Sequence, residues 1–133
     1  MSKTEYLKPK GLAINPAYSH VAVASGARTI YIAGQVSIDE KGAVIGAGDI
    51  GAQTEQVMRN IGLCLAAAGA GYEHVVKITT YVVNYKPELR AAIGKARTPF
   101  FGERPPPAST LVGVSALAAP EWMIEIEAIA VVD

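Results

Sequence analysis

The sequence predicts an α+β domain in which two helices pack on one face of a mixed β-sheet. Three observations carry this reading. Segments of β-branched and alternating character lie before, between and after two segments of helical periodicity. Strict strand–helix alternation fails, so a doubly wound parallel sheet does not fit. The last strand shows one wholly apolar face, which needs helices laid over it. At 133 residues the chain is expected to form one domain, 1–133.

The elements follow in order. Residues 20–35 read as a hairpin: Val21 and Val23 alternate with small residues, Ser25 to Arg28 turns, and Thr29 to Ala33 is β-branched and aromatic. Asp39 to Gly42 is a second tight turn, leading to a short strand at Ala43, Val44 and Ile45. Residues 49–69 read as a helix, with Asp49 as its N-cap and Val57, Ile61, Leu65 and Ala68 at helical spacing. Gly69 and Gly71 stop it. Residues 74–84 form a long strand rich in Val, Ile, Thr and Tyr. Pro87 opens a second helix, whose stripe is Leu89, Ala92, Ile93, Ala96 and Phe100, and Pro99 weakens its last turn. Arg104 to Pro107 is a rigid loop, because three consecutive prolines cannot join a ladder. Strands at 109–115 and 123–132 complete the chain.

Composition narrows the function classes. There are 12 basic and 12 acidic residues, and charged residues make up 18% of the chain, against an ordinary ~25%. Balanced charge argues against sequence-blind nucleic-acid binding, which needs a basic excess. No stretch of ~20 residues is uniformly apolar, so no membrane span is expected. MSKTEYLKPKG lacks the apolar run of a secretory leader. One cysteine, Cys64, excludes an internal disulfide framework and fits a reducing, cytoplasmic location with the thiol in the core. With two histidines and one cysteine, the usual zinc-ligand spacings are missing. Gly46, Gly48 and Gly51 match G-x-G-x-x-G, but neither a crossover unit nor a ribose-binding acid accompanies them.

The strand faces are more informative. Ile124, Ile126, Ala128, Ala130 and Val132 share one face of the last strand. The other carries Met123, Glu125, Glu127, Ile129 and Val131. In the long strand Val76, Ile78, Thr80 and Val82 oppose Val75, Lys77, Thr79, Tyr81 and Val83. A half-apolar outer face points to a homo-oligomer that buries it around a cleft. Two readings of Glu125 and Glu127 stay open: acid–base groups in that cleft, or structural partners of Lys77.

Pro105 to Val114, with Leu117 and then Ile124 to Ala130, closely resembles the C-terminal signature of the RidA/YjgF family of reactive-intermediate deaminases. Asn15 to Tyr18 is similar to the family's Pro-Tyr segment, Ile32 to Gln35 to its Ser-Gly-Gln, and Val76 to Val82 to its central strand. The resemblance spans nearly the whole chain. It implies a chorismate-mutase-like fold, a homotrimer with clefts between subunits, and hydrolysis of enamines and imines to a 2-keto acid and ammonia. It implies neither metal nor organic cofactor. It places the water-orienting Glu at Glu125, the cleft tyrosine at Tyr18 and the cleft backbone at Gly34. One position departs: where deaminases carry an Arg that grips the substrate carboxylate, this chain has Ser109. A hydroxyl cannot replace an Arg fork. Ser109, Thr110 and Tyr18 are expected to line the cleft around a small metabolite, with Arg104 as a candidate substitute anchor. Weak or altered activity on 2-imino acids is therefore expected. The alternative is a non-catalytic trimer that binds or senses a metabolite.

Overall fold

The computed structural model describes residues 3–133, and the first two residues of the stretch read above for a leader lie outside them. The architecture is α+β as expected. The elements are β1 (Lys3–Leu7), β2 (Val21–Ser25), β3 (Arg28–Gln35), α1 (Ile50–Ala67), β4 (Val75–Val83), α2 (Leu89–Arg97), β5 (Ala108–Val114) and β6 (Ile124–Val132). Single 3₁₀ turns at Tyr72–His74 and Thr98–Phe101 lead into β4 and out of α2. The main sheet runs β3-β6-β4-β5, with β4 and β5 parallel and the other two pairs antiparallel. No helix among the described residues is long and apolar enough to cross a membrane.

The core lies between this sheet and the helices. Val57, Met58, Ile61 and Leu65 of α1 meet Ile78 and Val82 of β4 and Ile124 and Ile126 of β6, all at most 2% exposed. Every residue on the apolar face of β6 is buried, and Cys64 packs partly buried against the same cluster. The Asp49 carboxylate caps α1, accepting from the Ala52 N–H at 3.1 Å. Asp49→Ala is expected to cost about 0.5–2 kcal/mol, read as a lower urea midpoint at unchanged slope. Gly46, at φ +73°, turns the loop beneath this helix end, and its carbonyl accepts from the buried Gln53 amide at 3.2 Å. Gln53 also donates to the Glu121 carbonyl at 3.0 Å and accepts from the Met123 N–H at 2.9 Å, tying α1 to the start of β6. The glycine pattern thus builds a helix entry.

Four departures from the sequence reading have local causes. The predicted 20–35 hairpin does not form: β2 pairs with β1 from Leu7↔Val21 to Lys3↔Ser25, while β3 pairs with β6. Between them Gly26 lies against the end of β6, where a Cβ would stand 2.7 Å from the Val132 carbonyl oxygen. β1 itself was not foreseen, because its Lys and Glu mask the alternation of KTEYL. The strand at 43–45 reduces to one bridge, Ile38↔Val44, although Asp39 makes the expected turn by accepting from Lys41 and Ala43 N–H groups. In β4 a register shift between Val75 and Lys77 sends Val75, rather than Val76, to the helix side, where it is 2% exposed.

Candidate functional site

The mixed face of the sheet carries polar groups in register. Tyr81 lies beside Glu125, and Thr79 beside Glu127. The Tyr81 hydroxyl donates to Glu127 Oε1 at 2.6 Å. That bond, reinforced by the two nearby carboxylates, raises the Tyr81 pKa, so the phenol stays a donor. Lys77 Nζ donates to the Ile78 carbonyl at 2.9 Å, Thr79 Oγ1 at 3.1 Å and Thr110 Oγ1 at 3.2 Å. Burial lowers its pKa, and the field of Glu127 partly offsets this. Lys77 forms no ion pair with either glutamate, so the Glu–Lys pair is not made.

Glu125 has no hydrogen-bonded partner among the described residues. Its carboxylate instead lies against Gly34 of β3, where a Cβ would overlap it. A register shift between Ile32 and Gln35 bulges the backbone there, a device that re-aims groups beside working sites. Gly34 thus leaves room for the carboxylate, and its own peptide groups stand beside it. Gly34→Ala is expected to displace the Glu125 carboxylate, with a melting temperature within a few degrees of the parent; a crystal structure of the variant and its thermal melt check this.

The remaining candidates sit elsewhere. Ser109 pairs with the buried Ile78, so it faces the helix side of the edge strand β5. It lines a groove of about 670 Å³ with Tyr18, Tyr85, Arg90, Arg97 and Leu111. It also lines a cavity of about 100 Å³ with Arg97, Phe101, Arg104 and Pro106. Tyr18 packs edge-on against His20, with ring centroids 5.2 Å apart. Arg104 is exposed, and it forms no ion pair with Glu103 or any other described residue. One chain therefore brings Tyr18, Ser109 and Arg104 together at the sheet edge. It brings Gly34 and Glu125 together on the mixed face, where Thr110 also lies, and the sheet separates the two groups.

Arg97 was missed by the sequence reading. A signal for it exists: Leu89, Ile93 and Arg97 are spaced by four, which puts a charged residue on the apolar stripe of α2.

A family model described as Endoribonuclease L-PSP matches residues 10–132. The chain belongs to this family, the RidA/YjgF family. A RutC family protein of Pyrococcus horikoshii is 42% identical over 101 residues, 76% of this chain and 77% of that one. The 2-iminobutanoate/2-iminopropanoate deaminase of Rattus norvegicus is 33% identical over 116 residues, 86% of this chain and 80% of that one. Among solved structures, the Rid family protein YyfB of Yersinia pestis superposes with a TM-score of 0.92 at 39% identity, covering 96% of this chain and 98% of that one. In this RidA/YjgF chain the resemblance read from Pro105 to Val114 and Ile124 to Ala130 falls on β5 and β6 and the loop before β5.

Proposed function

We propose that this protein is an enamine and imine hydrolase that releases ammonia from a reactive small metabolite. It acts without a metal or organic cofactor, in a cleft between subunits of a cytoplasmic homotrimer. The observation that carries this reading is Glu125, a carboxylate left unbonded beside the open backbone of Gly34. The deaminase name of the rat relative supports the reaction class.

In the proposed reaction the imine is protonated on nitrogen, and Glu125 accepts a proton from water as the water oxygen bonds to the iminium carbon. The resulting tetrahedral carbinolamine then loses its C–N bond. The nitrogen takes up the proton from Glu125 and leaves as ammonia, while the carbinolamine hydroxyl returns its proton to the Glu125 carboxylate as the carbonyl of a 2-keto acid forms. Peptide groups at Gly34 hold the nitrogen or the developing oxygen.

The cleft is composite on this reading, because Glu125 and Ser109 face opposite sides of one sheet. Burial of the mixed face against a second subunit would bring one chain's Glu125 to the next chain's Tyr18, Ser109 and Arg104. Tyr31, 77% exposed, and Val112, 39% exposed, both lie on that face and support its burial in an assembly. In the test, 2-iminobutanoate is generated by an amino-acid oxidase with semicarbazide as competing trap. Faster decay of the imine with protein is expected, and no acceleration across a panel of imino acids would overturn the reading. A non-catalytic metabolite-binding trimer is the second reading, favoured by the small hydroxyl at Ser109. A ligand that raises the melting temperature yet is recovered unchanged would select it.

A further inference from the structure

Arg97, the last residue of α2, projects toward the sheet. Its Nη1 donates to Thr80 Oγ1 at 3.0 Å, and Thr80 is fully buried on the helix side of β4. That is the guanidinium's one hydrogen bond among the described residues, and none of their carboxylates stands within ion-pair distance of it. An Arg has five N–H donors and keeps its charge in proteins. Partial burial without an acidic partner leaves that charge unpaired, and the donors that Thr80 does not take are open to the hollows beside it. Burial also lowers its pKa.

The surroundings say what would compensate them. Arg97 and Ser109 line the same two hollows, and neither wall contains an Asp or Glu. Ser109 is beside Ile78, two residues along β4 from Thr80, which sets Ser109 and the Arg97 anchor point about 7–8 Å apart. The space left by a short side chain on β5 is therefore bordered by a cation supplied from α2. Arg90 adds a second positive charge to the larger groove, while Tyr18, Tyr85, Ile93 and Leu111 give it apolar walls.

We propose that Arg97 is the anion anchor of this site, holding the carboxylate of a 2-imino or 2-oxo acid with an apolar side chain. This rests on the hydrolase reading for the imine but not for the acid, since the product of that reaction carries the same carboxylate. Ser109 contributes room and a hydroxyl donor. The carboxylate takes the guanidinium donors that Thr80 leaves unused.

Calorimetric titration with 2-oxobutanoate and 4-methyl-2-oxopentanoate tests this, with the matching 2-oxo amides as neutral controls. Wild type is expected to bind the acids and discriminate against the amides. Arg97→Gln is expected to weaken acid binding by about tenfold or more, and Lys95→Gln, on the exposed side of the same helical turn, to leave it unchanged. Adding Ser109→Arg to Arg97→Gln is expected to restore binding by returning a guanidinium from β5. A side-chain ¹⁵Nε resonance of Arg97 that shifts on titration of wild type gives the same information without a variant. The proposal is overturned if wild type does not bind the acids, if Arg97→Gln binds them as tightly as wild type, or if the resonance stays fixed at saturation. Imine hydrolysis with an unchanged KM in Arg97→Gln would remove the anchor and keep the hydrolase. Acid binding that depends on Arg97 in a protein without hydrolysis would do the reverse.

Discussion

Glu125→Gln should slow imine hydrolysis by about 10²–10⁴-fold, the usual contribution of a positioned general base. The exchange keeps the shape of the side chain and removes its capacity to accept a proton from water. Glu125 is bonded to no other described residue, so its loss leaves no partner stranded and the melting temperature should hold. Glu127→Gln provides the contrast. It keeps an acceptor for the Tyr81 hydroxyl, 2.6 Å away, and should retain most of the activity. Trap-competition kinetics on both variants decide the matter: equal activities would show that neither carboxylate is the base.

The largest expected effect on stability is at Gln53. Its side chain is fully buried and satisfies the Met123 N–H and the Gly46 and Glu121 carbonyls at once. Gln53→Leu has similar size but leaves the Met123 N–H and the Glu121 carbonyl without that partner, while the Gly46 carbonyl keeps its bond from the Asp49 N–H at 2.9 Å. A buried group left without its partner costs about 1–3 kcal/mol; water reaches the exposed Glu121 and better packing of Leu returns part of the rest, so a net loss of about 1–3 kcal/mol is expected. That is a large share of the ~5–15 kcal/mol that holds an ordinary domain together. Met123 precedes Glu125 by two residues, so the variant should lose hydrolysis faster than it loses helical signal during urea titration. Coincident loss of both would show that β6 is held by its ladders alone.

Where periodicity and turn chemistry were strong, the fold could be read from the chain. The 3.6 spacing of Val57, Ile61 and Leu65 and the Asp49 cap placed α1, and the alternation of Ile124 to Val132 placed the core face of β6. The failures lie where long-range pairing decides. Val21 and Val23 suit a strand, yet nothing local says that it pairs with Lys3–Leu7 rather than with Arg28–Gln35. The bulges beside Gly34 and Val76 are equally silent in the sequence, although the first opens space for Glu125.

The grouping of the candidate residues was half legible. Family resemblance named Glu125, Gly34, Tyr18 and Ser109, and the structure puts the first two in contact. Resemblance could not supply Arg97, which comes from a helix the signature does not cover, and it drew attention to Arg104, which is exposed. Nor does sequence spacing reveal that Ser109 and Glu125 face opposite sides of one sheet. That follows from register: Ser109 aligns with Ile78, whereas Glu125 aligns with Tyr81.

The central claim is that a working site needs two chains, and subunit complementation tests it most directly. Glu125→Gln removes the base, and Ser109→Trp fills the hollow at the sheet edge. Each homogeneous variant should be inactive. Co-expressed and purified as mixed oligomers, they should regain activity, because about one interface in four pairs an intact Glu125 with an intact Ser109 when chains mix at random. Mixed oligomers no more active than either parent would contradict the composite site and return the chemistry to a single chain.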